Sequence, residues 1–185
     1  MEEQTLPFVE YLENLRDLTD ASRSRAAMAE LRRGLGQPLG TVYEMYAYIV
    51  PFLPNEANKT REDAYFLIAA LFAYHPDPGG AGNMGSHFAS AREQESDATA
   101  IERRFTALLA AHGEDLHYHL RQAIGFLRSR QTPVPVNWHK LFADLLNWSH
   151  PSGYVQKEWA RAFWGRPNLQ AGNNQAEPAQ PTTKQ

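Results

Sequence analysis

The stretch Ala64-Tyr65-Phe66-Leu67-Ile68-Ala69-Ala70-Leu71-Phe72-Ala73-Tyr74 decides the reading of the fold. It is uncharged, about as long as a core helix, and well short of the ~18 consecutive apolar residues of a membrane span. Thr60 followed by Asp63 offers a capping arrangement just ahead of it. Toward the N-terminus, Phe8, Leu12, Leu15 and Leu18 form one helical stripe and Met28, Leu31 and Leu35 a second, which should stop near Gly34–Gly36 ahead of Pro38. Thr41 can cap a third helix through Val42, Met45, Tyr46 and Ile49, ended by Pro51 and Pro54.

Pro76 to Asp97 is a break rich in glycine and proline, with one short helix expected near Asn83–Arg92. Helices are then expected over Ala98–Ala111, Glu114–Arg130, a segment capped by Asn137 through Trp148, and Tyr154–Trp164. No segment alternates with a period of two, and no internal repeat is visible. The expected fold is all-α, a helical bundle of about eight or nine helices in two small lobes. Residues 1–95 would form an N-terminal lobe with the glycine-rich loop near 76–97, and residues 98–166 a C-terminal bundle. Beyond Arg166 the composition turns to Gln, Asn, Pro, Thr and Ala, so 167–185 is expected to be a disordered tail.

The chain has 185 residues, 43% hydrophobic and 21% charged, enough for an ordinary core. With no cysteine, disulfides, thiolate nucleophiles, iron–sulfur clusters and cysteine-based zinc sites are excluded. The acidic start Met1-Glu2-Glu3-Gln4 is unlike a basic signal peptide, and a cytoplasmic location without a membrane segment is expected.

Net charge is −3, but it is unevenly spread. Residues 1–20 carry −5, whereas residues 101–166 carry nine bases and five acids. Arginine outnumbers lysine 14 to 4, and its planar fork suits phosphate.

Motifs for enzyme chemistry are weak. Gly80-Ala81-Gly82-Asn83-Met84-Gly85 matches a dinucleotide fingerprint letter for letter, but a helix and Pro76-Asp77-Pro78 precede it where a strand is required. No phosphate loop, H-E-x-x-H motif or nucleophile elbow occurs. His112, His117 and His119 cluster near one turn, but residues two apart on a helix point to different faces. Glu114 and Asp115 suit a helix N-terminus without catalysis. No catalytic residue, metal ligand or cofactor is expected. Trp138, Trp148, Trp159, Phe163 and Trp164 could stack bases, but their helical spacing assigns most of them to the core.

The arginines carry more information. On the helix from Ala98, Ile101, Phe105, Leu108 and Leu109 define the apolar face, with Arg103 opposite and Arg104 on its border. Arg121 and Arg128 share one flank of the next helix, and Arg25 and Arg32 share one flank of the second, where Arg33 points outward. Rows of arginine with few acids beside them suit a phosphate backbone; a solvated face with salt bridges is the plainer alternative.

Several stretches together resemble the CasB family, the small subunit of the type I-E CRISPR surveillance complex Cascade. They are Leu31-Arg32-Arg33-Gly34, Tyr65–Ala73, Gly82-Asn83-Met84-Gly85, Glu102-Arg103-Arg104-Phe105-x-x-Leu108-Leu109 and Leu120-Arg121-Gln122. Asn137-Trp138-x-x-Leu141-x-x-Asp144-Leu145-x-x-Trp148 and Val155-Gln156-x-x-Trp159-Ala160-Arg161-x-Phe163-Trp164 complete the set. The resemblance implies a non-catalytic helical subunit that packs with a second copy of itself, the large subunit and the crRNA-bearing backbone. It also implies that a basic surface holds nucleic acid, crRNA or target DNA, without reading sequence, and stabilises the R-loop. By position, Arg32, Arg33, Arg103, Arg104 and Arg121 look like the family's basic patch; Arg25, Arg128, Arg130 and Lys140 are added from helix geometry. Two competing readings are a nuclease, which would need clustered carboxylates for metal ions, and a structural adaptor that contacts only protein.

Overall fold

A computed structural model of the chain describes residues 7–93 and 98–165; the expected tail at 167–185 lies outside them. Among the described residues there are nine α-helices and no strand. They are α1 (Pro7–Arg16), α2 (Ala21–Arg32), α3 (Tyr46–Ile49), α4 (Lys59–Tyr74), α5 (Met84–Glu93), α6 (Ala98–Ala110), α7 (Glu114–Arg128), α8 (Trp138–Leu146) and α9 (Tyr154–Trp164). None is long and apolar enough to cross a membrane.

The apolar run behaves as its composition requires. Every residue from Ala64 to Ala73 is buried, because α4 is covered by α2, α3, α7 and α8. Phe8 of α1 closes one end, against Tyr65 (4.9 Å) and Phe142 (5.6 Å). At the other end Arg16 Nη1 donates to the Pro76 carbonyl at 2.9 Å, tying α1 to the loop after α4. A second group of rings joins α5, α6 and α9: Phe88 and Phe105 lie 5.1 Å apart, and Phe105 and Phe163 4.5 Å. The helix α5, placed with the N-terminal lobe by the sequence, packs mainly on α9.

Local differences from the sequence reading have identifiable causes. The cap of α4 is Asn58, which accepts from the Arg61 N–H at 2.9 Å, while Asp63 pairs with Lys59. A side-chain cap of this kind contributes about 1 kcal/mol. Thr41 caps nothing; its hydroxyl donates to the Pro38 carbonyl, and the expected third helix splits into 3₁₀ turns at Tyr43–Met45 and Val50–Phe52 around α3. Pro51 lies inside the second turn, where an early helical position needs no N–H. Leu18 falls beyond the end of α1 and is exposed. The short helix of the 76–97 break is α5, anchored by buried Met84, Phe88 and Ala91.

The glycines of the dinucleotide-like motif have a packing role. A Cβ at Gly85 would collide with the Trp159 carbonyl, and one at Gly80 with the Val136–Asn137 backbone. The motif lets α5 cross α9 closely and lets its loop lie on the segment entering α8.

That segment also holds a histidine. Asn137 caps α8 through its side chain, and its N–H donates to His87 Nε2 at 3.1 Å. The His87 ring is therefore neutral with its proton on Nδ1. Burial, helped by the neighbouring His75, lowers its pKa to about 4. The unfolded chain binds a proton near pH ~6.5 that the folded chain refuses until about pH 4, so stability falls as pH drops through that window. Between pH ~7 and ~5 the group should remove about 2 kcal/mol of stability. Thermal melts should show the wild type losing more over this range than His87→Gln, whose amide oxygen can still accept from Asn137. Parallel losses would refute the assignment.

Candidate nucleic-acid interface

The basic residues sort into groups that their helix positions alone do not separate. Arg121 of α7 reaches the turn that follows α2: its guanidinium sits against Gly36, just after Arg32 and Arg33. A hollow of about 360 Å³ lies here, lined by Gly34 to Leu39, Leu67, Ala70, Leu71, His117, Tyr118 and Arg121. On the far side of Tyr118 is a second hollow of about 220 Å³, between α6 and α7, with Arg104, His119 and Gln122 among its lining residues. Among the described residues, none lining either hollow is a carboxylate.

Rings seat several of the guanidiniums. Arg104 lies 5.6 Å and Arg130 4.2 Å from the centroid of Phe126, and Arg128 lies 4.5 Å from Tyr74 at the end of α4. Arg130 Nε also donates to the Phe126 carbonyl. Such contacts orient a cation over an apolar body without neutralising it. Arg25 and Arg103 are exposed, and Arg32 Nε donates to the Met28 carbonyl. Among the described residues Arg25, Arg32, Arg103, Arg104, Arg121 and Arg128 have no ion-pair partner.

Arg33 and Lys140 of the expected set are ion-paired. Arg33 Nη1 meets Glu44 Oε1 at 2.7 Å, a carboxylate held below its ordinary pKa by its own backbone N–H and then by Arg33. Lys140, on α8, meets Asp144 at 2.6 Å and Glu158 at 3.4 Å. Asp144 is 2% exposed and also accepts from Trp159 Nε1 at 2.7 Å. Burial pushes its pKa up although Lys140 and Trp159 favour the carboxylate. Burial also disfavours the Lys140 ammonium, but Asp144 and Glu158 hold its pKa above the usual value. Lys140 thus has a sufficient role in joining α8 to α9.

Trp138, Trp148, Trp159 and Phe163 are core residues; Trp164 is partly exposed and donates to Glu102 at 2.9 Å. His117 and His119 line different hollows, as their two-residue spacing requires. Among the described residues, no group of three or more histidines and carboxylates could hold a metal. The residue that sequence reasoning missed is Tyr118, which is 63% exposed between the two hollows. Its signal was a large ring on the polar face of α7, three and four residues before Arg121 and Gln122.

Residues 27–164 match the family described as CRISPR-associated protein Cse2. A Cse2 protein of Thermus thermophilus is 31% identical over 161 residues, which cover 86% of this chain and 90% of that one. The crystal structure of CasB from Thermus thermophilus is similar at TM-score 0.71 and 29% identity, covering 88% of this chain and 100% of that one. A chain of a CRISPR RNA-guided surveillance complex is similar at TM-score 0.65 and 25% identity, covering 84% of this chain and 88% of that one.

The two classes of cation should separate in stability measurements. Lys140→Ala leaves the buried Asp144 with one donor fewer and should cost about 1–3 kcal/mol. Arg103→Ala should stay within about 0.5 kcal/mol of wild type. Urea unfolding of both variants checks this, and equal effects would contradict it.

Proposed function

The chain belongs to the CRISPR-associated Cse2 (CasB) family, and from that premise we propose that it is a non-catalytic small subunit of a type I-E Cascade surveillance complex. In this reading it works in the cytoplasm, beside a second copy of itself, the large subunit and the crRNA-bearing backbone. Its arginine surface holds crRNA or target DNA by the phosphates and stabilises the R-loop. The observation that carries the reading is the meeting of Arg121 with the turn after Arg32–Arg33, and of Arg104 with the same α7 face, around hollows that no carboxylate lines among the described residues.

The energetics suit such a role. Exchanging a DNA duplex for an RNA–DNA hybrid is nearly balanced, so a few backbone contacts tip it. Contacts to phosphate release counterions and carry no sequence information. The working set is Arg32, Arg103, Arg104 and Arg121, with Arg25 and Arg128 beside it. Arg33 contributes by exchanging Glu44 for phosphate, and Arg130 by bracing Phe126.

A second reading, an adaptor contacting only protein, draws on the larger groove of about 530 Å³. Its apolar lining includes Leu39, Leu67, Leu116, Leu145 and Trp148, beside Lys59 and Asp63.

Binding measured against salt separates the two. Neutralising about four phosphates gives a log–log slope of about −3 to −4, depending on strand type. Arg103→Ala and Arg121→Ala should each weaken binding to every sequence alike and reduce the slope by about one. Folded variants with unchanged affinity and slope would leave the adaptor reading.

A further inference from the structure

We propose that the hollow between α6 and α7 is a seat for one unpaired nucleobase, with the Tyr118 ring as its stacking wall. The proposal rests on the phosphate-binding reading and deepens it, because it names the form of nucleic acid the surface takes: a single strand, or a strand with a base turned out.

The hollow is about 220 Å³, a size that admits a flat heterocycle. Its apolar wall comes from Phe88, Ala107, Ala123 and Phe126. Phe126 stacks at 5.5 Å on the fully buried Phe88, so that wall is backed by the core. Polar groups are few and of the right kinds. Gln122 carries an amide with both donors and an acceptor, and Arg104 brings donors held in place by its seat over Phe126. This combination of an apolar body with a few fixed polar groups is what a small planar ligand needs.

Tyr118 supplies the second observation. Its ring stands edge-on to the His119 ring at 5.4 Å, yet is 63% exposed on a helix whose other large apolar residues face inward. It lines both hollows, so a base stacked on it has Arg104 on one side and Arg121 on the other. Every base has a π-face, so stacking tolerates any sequence, in keeping with phosphate contacts that read none. A paired base inside a duplex presents no free face to Tyr118.

The test uses the full-length protein and single-stranded DNA carrying 5-iodouracil at one position, with the matching duplex as control. Irradiation should cross-link the single strand to Tyr118 and the duplex much less. Tyr118→Phe should bind like wild type. Tyr118→Ala should lose affinity for single strands about tenfold or more, with unchanged circular dichroism and an unchanged salt slope, because stacking releases no counterion. Arg121→Ala should instead reduce the slope and keep the cross-link at saturation. Tyr118→Ala with wild-type affinity, or a cross-link that maps elsewhere, overturns the base seat and leaves the phosphate reading standing. Absence of any salt-dependent binding by the folded wild type overturns both.

Discussion

A helix with no polar face has to be covered on every side, and α4 imposes that constraint on the chain. Ten consecutive buried residues, Ala64 to Ala73, take up the apolar stripes of α2, α7 and α8. Each covering helix has one such stripe, so its polar face is turned outward once the stripe is spent. The α2 terminus and α7 lie against the same stretch of α4, around Leu67, Ala70 and Leu71. Their outward residues therefore meet over it, and Arg121 comes to rest beside Gly36. The meeting of Arg121 with the turn after α2 is a consequence of how the core is closed.

The family stretches of α8 and α9 hold the fold together, while those of α2, α6 and α7 also carry exposed arginines. Asn137 caps α8 and donates to His87; Trp148 Nε1 donates to the Ala111 carbonyl; Gln156 donates to the Trp148 carbonyl. Asp144 joins Lys140 to Trp159, and Gly85 admits the Trp159 backbone. All of these hold α5, α8 and α9 to the rest of the molecule. Breaking a buried, hydrogen-bonded carboxylate costs far more than changing an exposed arginine. The α8 and α9 motifs therefore mark the fold, whereas the motif arginines of α2, α6 and α7 lie on the exposed faces of their helices.

Much of the fold was legible because it depends on spacing within single helices. The core run, the Asn137 cap, the α9 boundaries and the inward face of α6 all follow from local periodicity and capping. The cap of α4 was misplaced because Asn58, Thr60 and Asp63 are all competent cap residues, and only the path of the chain chooses Asn58. The region of Tyr43–Phe52 is helical throughout but tightens to 3₁₀ at both ends, where Val42 offers no side-chain cap and Pro51 has no N–H to donate. For the candidate site, helix geometry could say which arginines face outward. The Lys140–Asp144 pair follows from four-residue spacing on α8, but helix geometry could not say that Glu158 joins it, that Arg33 faces Glu44, or that Tyr118 divides two hollows, since each of these depends on a different element lying alongside.

In the proposed role, closing the core over α4 gathers these arginines into one surface that holds phosphates within the assembled complex. Electron cryomicroscopy of the reconstituted complex with crRNA and target DNA tests it most directly. The account predicts nucleic-acid phosphates within about 4 Å of the Arg103 and Arg121 guanidiniums, the reach of charge-assisted hydrogen bonds. A complex in which both arginines are packed against protein, with the nucleic acid elsewhere, would contradict it.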